Sequence, residues 1–82
     1  MKMQSEDYER KLARWIRLEE EARKIRRSEA DWKFIEEQPA RVKAALKYYV
    51  ETGDIRTSSR MAEMSIDRFR KLLRQARIPV IV

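Results

Sequence analysis

Five bases fall within ten residues near the end of the chain: Arg68, Arg70, Lys71, Arg74 and Arg77, with no acid after Asp67. Their guanidinium and ammonium groups can neutralise and hydrogen-bond phosphate or carboxylate oxygens without help from any other residue type. The chain offers little other chemistry. It has no His and no Cys, which removes disulfides, the usual zinc sites, Ser-His triads and Cys-His pairs. The adjacent acids Glu36 and Glu37 sit on a solvated helix end and make no catalytic pair. At 82 residues the chain is too short for a deep enclosed pocket. No enzymatic activity, cofactor or metal is expected.

The net charge of +6 is unevenly divided. Residues 1–38 hold ten bases and ten acids, whereas residues 39–82 hold ten bases against Glu51, Asp54, Glu63 and Asp67 alone. The whole excess lies in the second half, and the five bases named above are half of that half's cations. A basic half beside a neutral one suits a polyanionic partner for the first and a protein partner for the second. A well-solvated basic surface would give the same composition. No run reaches the ~18 apolar residues of a membrane span, and the N-terminus carries no signal-peptide core. A cytoplasmic protein without a membrane partner is the expectation.

The elements that must position these bases are helical. The chain is 43% hydrophobic and 41% charged with one Gly and two Pro, which indicates an all-α fold. Residues 5–36 read as one long helix. Ser5 could cap it, and Glu6 and Asp7 suit its first turn. Tyr8, Leu12, Trp15, Leu18, Ala22, Ile25, Trp32 and Ile35 recur at three- and four-residue steps as an apolar stripe. Glu6–Arg10, Asp7–Lys11, Glu19–Arg23, Glu20–Lys24 and Glu29–Lys33 are candidate i,i+4 pairs. A cap-like sequence at Ser28-Glu29-Ala30-Asp31 could interrupt the helix there. About thirty residues at 1.5 Å each would span ~45 Å, more than the remaining chain can cover. Leu12, Trp15, Leu18, Ala22, Ile25 and Trp32 are therefore expected to form a homodimer interface. The two Trp residues could also stack on single-stranded nucleic acid, but their neutral surroundings favour packing.

Pro39 marks a boundary, dividing the chain into a dimerisation arm (1–38) and a C-terminal unit (39–82). A helix from Pro39 to Thr52 would bury Val42, Ala45, Leu46, Tyr49 and Val50. Gly53 would end it in the left-handed conformation, with Ile55 making the accompanying apolar contact. Thr57 or Ser58 could cap a short helix centred on Met61. Ser65 could cap a last helix to about Ala76, with Ile66, Phe69, Leu72, Leu73 and Ala76 on its inner side. The turn between these helices would hold Glu63 in the left-handed conformation, at a cost of ~1 kcal/mol. The β-branched tail around Pro79 reads as an extended segment, either a strand or a terminal peptide.

Two short helices joined by a tight turn, the second one cationic, have the outline of a helix-turn-helix. On that expectation Thr57, Ser58, Ser59 and Arg60 reach the DNA backbone from the first helix, and Ser65 and the helix N-terminus take a phosphate. Asp67, Arg68 and Lys71 approach base edges, while Arg70 and Arg74 contact phosphates. Lys43 and Lys47 would extend the patch. The order AALKYYVETGDI, SSRMAEMSIDRFRKLL and RIPV resembles the small helix-turn-helix antitoxins of prokaryotic toxin–antitoxin modules, over roughly residues 44–80. The residues that carry the resemblance are Gly53, Ala62, Met64, Ser65, Phe69, Leu73, Ile78, Pro79 and Val80. It implies a DNA-binding transcriptional regulator and a toxin as protein partner. The Trp-bearing N-terminal helix would dock that partner, so the alternative to a DNA-binding homodimer is a protein-interaction module.

Overall fold

The computed structural model describes residues 5–80, and side chains from Asp7 onward. The described chain is all-helical: α1 (Ser5–Glu29), α2 (Trp32–Glu36), α3 (Ala40–Thr52), α4 (Ile55–Met61) and α5 (Ile66–Gln75). The break in the long helix does occur, but Asp31 makes it instead of Ser28. The Asp31 carboxylate accepts the Phe34 N–H at 3.1 Å and caps α2. Glu29 and Lys33 thus belong to different helices and form no i,i+4 pair. Among the described residues the other expected pairs of α1 do not close to ion-pair distance either. The Glu6–Arg10 pair and any Ser5 side-chain cap lie outside the described side chains.

Helix α3 is the centre. It packs against α1, α2 and α4, and α4 packs against α5. Its expected stripe is its buried face: Ala45, Leu46, Tyr49 and Val50 are buried, and Val42 packs at the margin. From other elements Ala30, Ile35, Ala62, Phe69, Leu73, Ala76 and Ile78 complete one cluster, so the core draws on both sides of Pro39. The edge of the Phe69 ring meets Tyr49, with centroids 6.2 Å apart and planes at 68°, a favoured aromatic geometry. Pro39 itself stands at the N-cap of α3, one residue earlier than a first helical position.

Arg26 joins α1 to α3. On α1 the residue that turns inward after Ala22 is Arg26, and Ile25 is exposed. Arg26 is 3% exposed. Its Nε donates to the Val50 carbonyl at 2.8 Å, and its guanidinium lies 5.9 Å from the centre of the Tyr49 ring. Nη2 has no hydrogen-bond partner. A cation at the C-terminal end of α3 satisfies a carbonyl left over by the helix and opposes its dipole. Arg23 does the same one residue on, donating to the Glu51 carbonyl at 2.9 Å. Gly53 ends α3 at φ 68°, and a Cβ there would come within 3.0 Å of Arg26 Nη1. Both its conformation and the close approach of Arg26 call for glycine.

Helices α4 and α5 end alike. Glu63 and Arg77 both adopt φ 55°. After α4, Met64 N–H reaches the Ser59 carbonyl and Glu63 N–H the Arg60 carbonyl; after α5, Ile78 reaches Leu73 and Arg77 reaches Arg74. These are paired Schellman bonds built on non-glycine residues. The second one folds the tail back, so Ile78 is buried and no strand forms through Val80. Asp31 N–H donates to the Ala76 carbonyl at 2.8 Å, tying the end of α5 to the α1–α2 junction.

Three carboxylates are held below their ordinary range. Glu51 is lowered by its hydrogen bond from Arg27, Glu36 by Lys47 and more weakly Lys43, and Asp54 by the Thr57 hydroxyl and N–H. Their folded values lie below the unfolded ones of about 3.9 to 4.3. The stability they add is therefore complete above that range and is lost as the pH falls through the folded values. Urea midpoints should be level from roughly pH 6 to 8 and decline below about pH 4, by less in high salt because all three groups are exposed. Gly53→Ala should cost more than about 1 kcal/mol in the same assay, since it strains φ and pushes on Arg26.

Candidate nucleic-acid interface

The expected cap of α4 is displaced. Neither Thr57 nor Ser58 starts that helix; Asp54 does, accepting Thr57 N–H at 3.0 Å and the Thr57 hydroxyl at 2.7 Å. Thr57 is consequently half-buried with its hydroxyl engaged. Ser58 is fully buried and donates to the Asp54 carbonyl at 2.6 Å. Ser59 is also buried, its hydroxyl on the Arg56 carbonyl at 3.0 Å. Their small side chains let α4 lie close on the core, and a serine hydroxyl can return to its own helix carbonyl when buried. The structure does not bring Ser58 or Ser59 to the surface.

Arg60 is exposed, as is Arg56 one turn earlier. Arg56 is the residue that the sequence reading missed. With a cap placed at Thr57 or Ser58 it falls in a linker, whereas Asp54 in the position after Gly53 puts it in the first turn. The missed signal was an Asp three residues before a Thr, the spacing of a side-chain cap.

Helix α5 follows its expected pattern. Ser65 caps it, accepting the Arg68 N–H at 3.2 Å. Phe69 and Leu73 face inward, with Ala76 beyond them and Leu72 at the margin, whereas Ile66, expected on that side, is exposed and lines the open groove beside α4. Asp67, Arg68, Arg70, Lys71 and Arg74 are all exposed. By helical periodicity Asp67, Lys71 and Arg74 lie opposite Phe69, with Arg68 and Arg70 at the two edges. An open groove of about 350 Å³ separates the start of α5 from α4, lined by Arg56, Ser59, Arg60, Met64, Ser65 and Ile66.

Ion pairing sorts the cations. Arg27 meets Glu51 at 2.6 Å, Arg41 meets Glu63 at 2.6 Å, and Glu36 takes Lys47 at 2.8 Å and Lys43 at 3.6 Å. Lys43 and Lys47, expected to extend the patch, are thus matched by an acid. Among the described residues no such partner closes on Arg56, Arg60, Arg68, Arg70, Lys71 or Arg74. Arg56 and Arg60 border the groove at the start of α5, and Arg68, Arg70, Lys71 and Arg74 follow along α5 with Asp67 as the acid of that helix. An exposed row of cations suits the binding of successive anionic groups.

The residues expected at a dimer interface lie elsewhere. Leu12, Trp15, Leu18 and Ile25 are exposed on α1, Ala22 is half-buried, and Trp32 is exposed with its indole N–H on the Arg27 carbonyl at 2.9 Å. Neither Trp belongs to the core of the chain itself. No helix among the described residues is long and apolar enough to cross a membrane. Ser65→Ala should lower stability by about 1 kcal/mol through loss of the cap, read as a shift in urea midpoint with unchanged slope. Comparison with protein-family models, with curated proteins and with solved structures finds no match to this chain.

Proposed function

We propose that this protein is a small DNA-binding regulator, in which α4 and α5 act as a helix-turn-helix and the N-terminal arm makes a homodimer. The observation that carries the reading is the set of six cations on α4 and α5 without an ion-pair partner, on a chain whose other described arginines and lysines in the second half are largely matched by acids. Unpaired, closely spaced bases repel one another and persist at little cost only where solvent or a polyanion screens them. In this reading α5 enters the major groove. Asp67, Arg68 and Lys71 approach base edges, and Arg70 and Arg74 join Arg56 and Arg60 on phosphates. Ser65 keeps its hydroxyl hydrogen for a phosphate oxygen. Two copies related by a two-fold axis would address half-sites ~34 Å apart.

A second reading rests on a different observation. The exposed Tyr8, Leu12, Trp15, Leu18 and Ile25 share one face of α1 as an apolar stripe, and an antitoxin-like module would dock a foreign protein there. Sedimentation separates the two, since a monomer at all concentrations favours the foreign partner.

The DNA reading is tested by salt. With Arg56, Arg60, Arg70 and Arg74 of both copies on phosphates, about eight contacts in all, affinity for duplex DNA should fall roughly ten-thousandfold between 50 and 200 mM salt. The double substitution Lys71→Ala, Arg74→Ala should weaken binding and leave helicity unchanged, with loss of the Arg74 phosphate contact in both copies reducing the logarithmic salt slope by about two. A flat salt response in the parent protein would exclude the proposal.

A further inference from the structure

Every described residue from Asp7 to Leu18 is exposed. This part of α1 is an arm of twelve residues, roughly 18 Å long, that extends beyond the cover of α3. A lone helix of that length is marginal in water, and this one carries Trp15 at 60% and Tyr8 at 58% exposure. Where the arm meets the body, a concavity of about 370 Å³ opens between Ala22, Ile25 and Arg26 of α1 and Thr52 and Gly53 at the end of α3.

The stripe on the arm reads the same in both directions. Tyr8, Leu12, Trp15, Leu18 and Ala22 are separated by four, three, three and four residues, so reversal about Trp15 exchanges Tyr8 with Ala22 and Leu12 with Leu18. A two-fold interface needs this self-complementarity, because each residue must meet the counterpart of its own partner. The charges follow the same symmetry. Reversal about Trp15 sets Lys11 against Glu19 and Asp7 against Arg23 on the flanks of the stripe, while Arg10, Glu20, Glu9 and Glu21 lie toward the outer side of the helix. A parallel, in-register pair would instead set Lys11, which borders the stripe, beside its own copy, which complementarity disfavours.

We infer that α1 pairs with α1 of a second copy in antiparallel orientation about Trp15, and that Tyr8 of each copy seats in the concavity of the other. Helical side chains lean toward the N-terminus of their own helix. In an antiparallel pair that lean carries Tyr8 past Ala22 toward Arg26, Thr52 and Gly53 of the opposite chain. The arm of one copy thereby completes the wall that α3 leaves unfinished in the other. The pairing rests on the homodimeric reading above and adds its orientation and register. It also sets the spacing of the reading helices: the two Glu29 ends lie roughly 42 Å apart, and each α5 is tied to that junction through Asp31 and Ala76.

The chain has no cysteine, so single spin labels can be placed on the outer side of α1 by Arg17→Cys and Lys24→Cys and the inter-copy distance measured by pulsed electron resonance. Antiparallel pairing about Trp15 offsets the two labels along the axis by roughly 6 Å at position 17 and 27 Å at position 24, so the second distance must be clearly longer. Equal short distances at both positions would establish a parallel dimer and overturn the proposal while leaving the homodimer intact. Absence of any dipolar coupling at concentrations where duplex DNA is still bound would overturn the pairing and leave DNA binding standing. Trp15→Glu and Tyr8→Ala should each weaken self-association at least tenfold in sedimentation, and unchanged association in both would contradict the assigned interface.

Discussion

The arrangement depends on one buried cation at one helix end. Arg26 donates to the last turn of α3 at Val50 and lies beneath Gly53, and Arg23 and Arg27 engage Glu51 beside it. Burying a guanidinium is costly unless its hydrogens are matched. The C-terminal carbonyls and dipole of α3, with the face of Tyr49, offset that cost where an ordinary apolar contact could not satisfy the same groups. Because Arg23, Arg26 and Arg27 on adjacent turns of α1 all engage the end of α3, α1 is held in one direction relative to α3. Its free arm, the concavity beside Gly53 and the position of the α1–α2 junction all follow from that direction.

The joint also sets the other side of the molecule. The junction that follows Arg26 presents Asp31 to the end of α5, and α5 packs Phe69 against Tyr49, the ring on which Arg26 rests. Helix α5 is thus fixed at its end and along its inner face, and its outer face is left mostly to charged residues. Four acids are engaged by other partners, Glu36 by Lys43 and Lys47, Glu51 by Arg27, Glu63 by Arg41 and Asp54 by Thr57, and α5 itself carries the single acid Asp67. What remains around the α4–α5 turn is cationic, and a rigid helix carries most of it.

The sequence made much of this legible. Local signals with a single physical cause read correctly: the stripe of α3, the left-handed Gly53, the Ser65 cap and the inner face of α5. Glu63 also adopts the left-handed turn that the spacing demanded, without glycine. The failures share a cause, which is that tertiary contacts choose among equivalent local options. Asp54 outcompeted Thr57 and Ser58 as a cap because Ser58 was needed against the core, and that choice hid Arg56. Asp31 displaced Ser28 for a similar reason, being bonded on both sides by Phe34 and Ala76. Arg26 could not be read at all. Nothing in its neighbours distinguishes it from Arg27 or Lys24, since its partner carbonyl lies 24 residues away. The likeness to helix-turn-helix antitoxins covers the α3–α5 half and supports the proposed function only as an analogy.

The central claim is that the unpaired cations at the α4–α5 turn meet duplex DNA while the α1 arm does not. Nuclear magnetic resonance of the nitrogen-labelled protein titrated with a duplex tests it most directly. The account predicts that amide shifts concentrate at Arg56, Arg60 and Ser65 through Lys71, with residues 7–18 unmoved. Shifts confined to the α1 arm, or none anywhere at low salt, would contradict it.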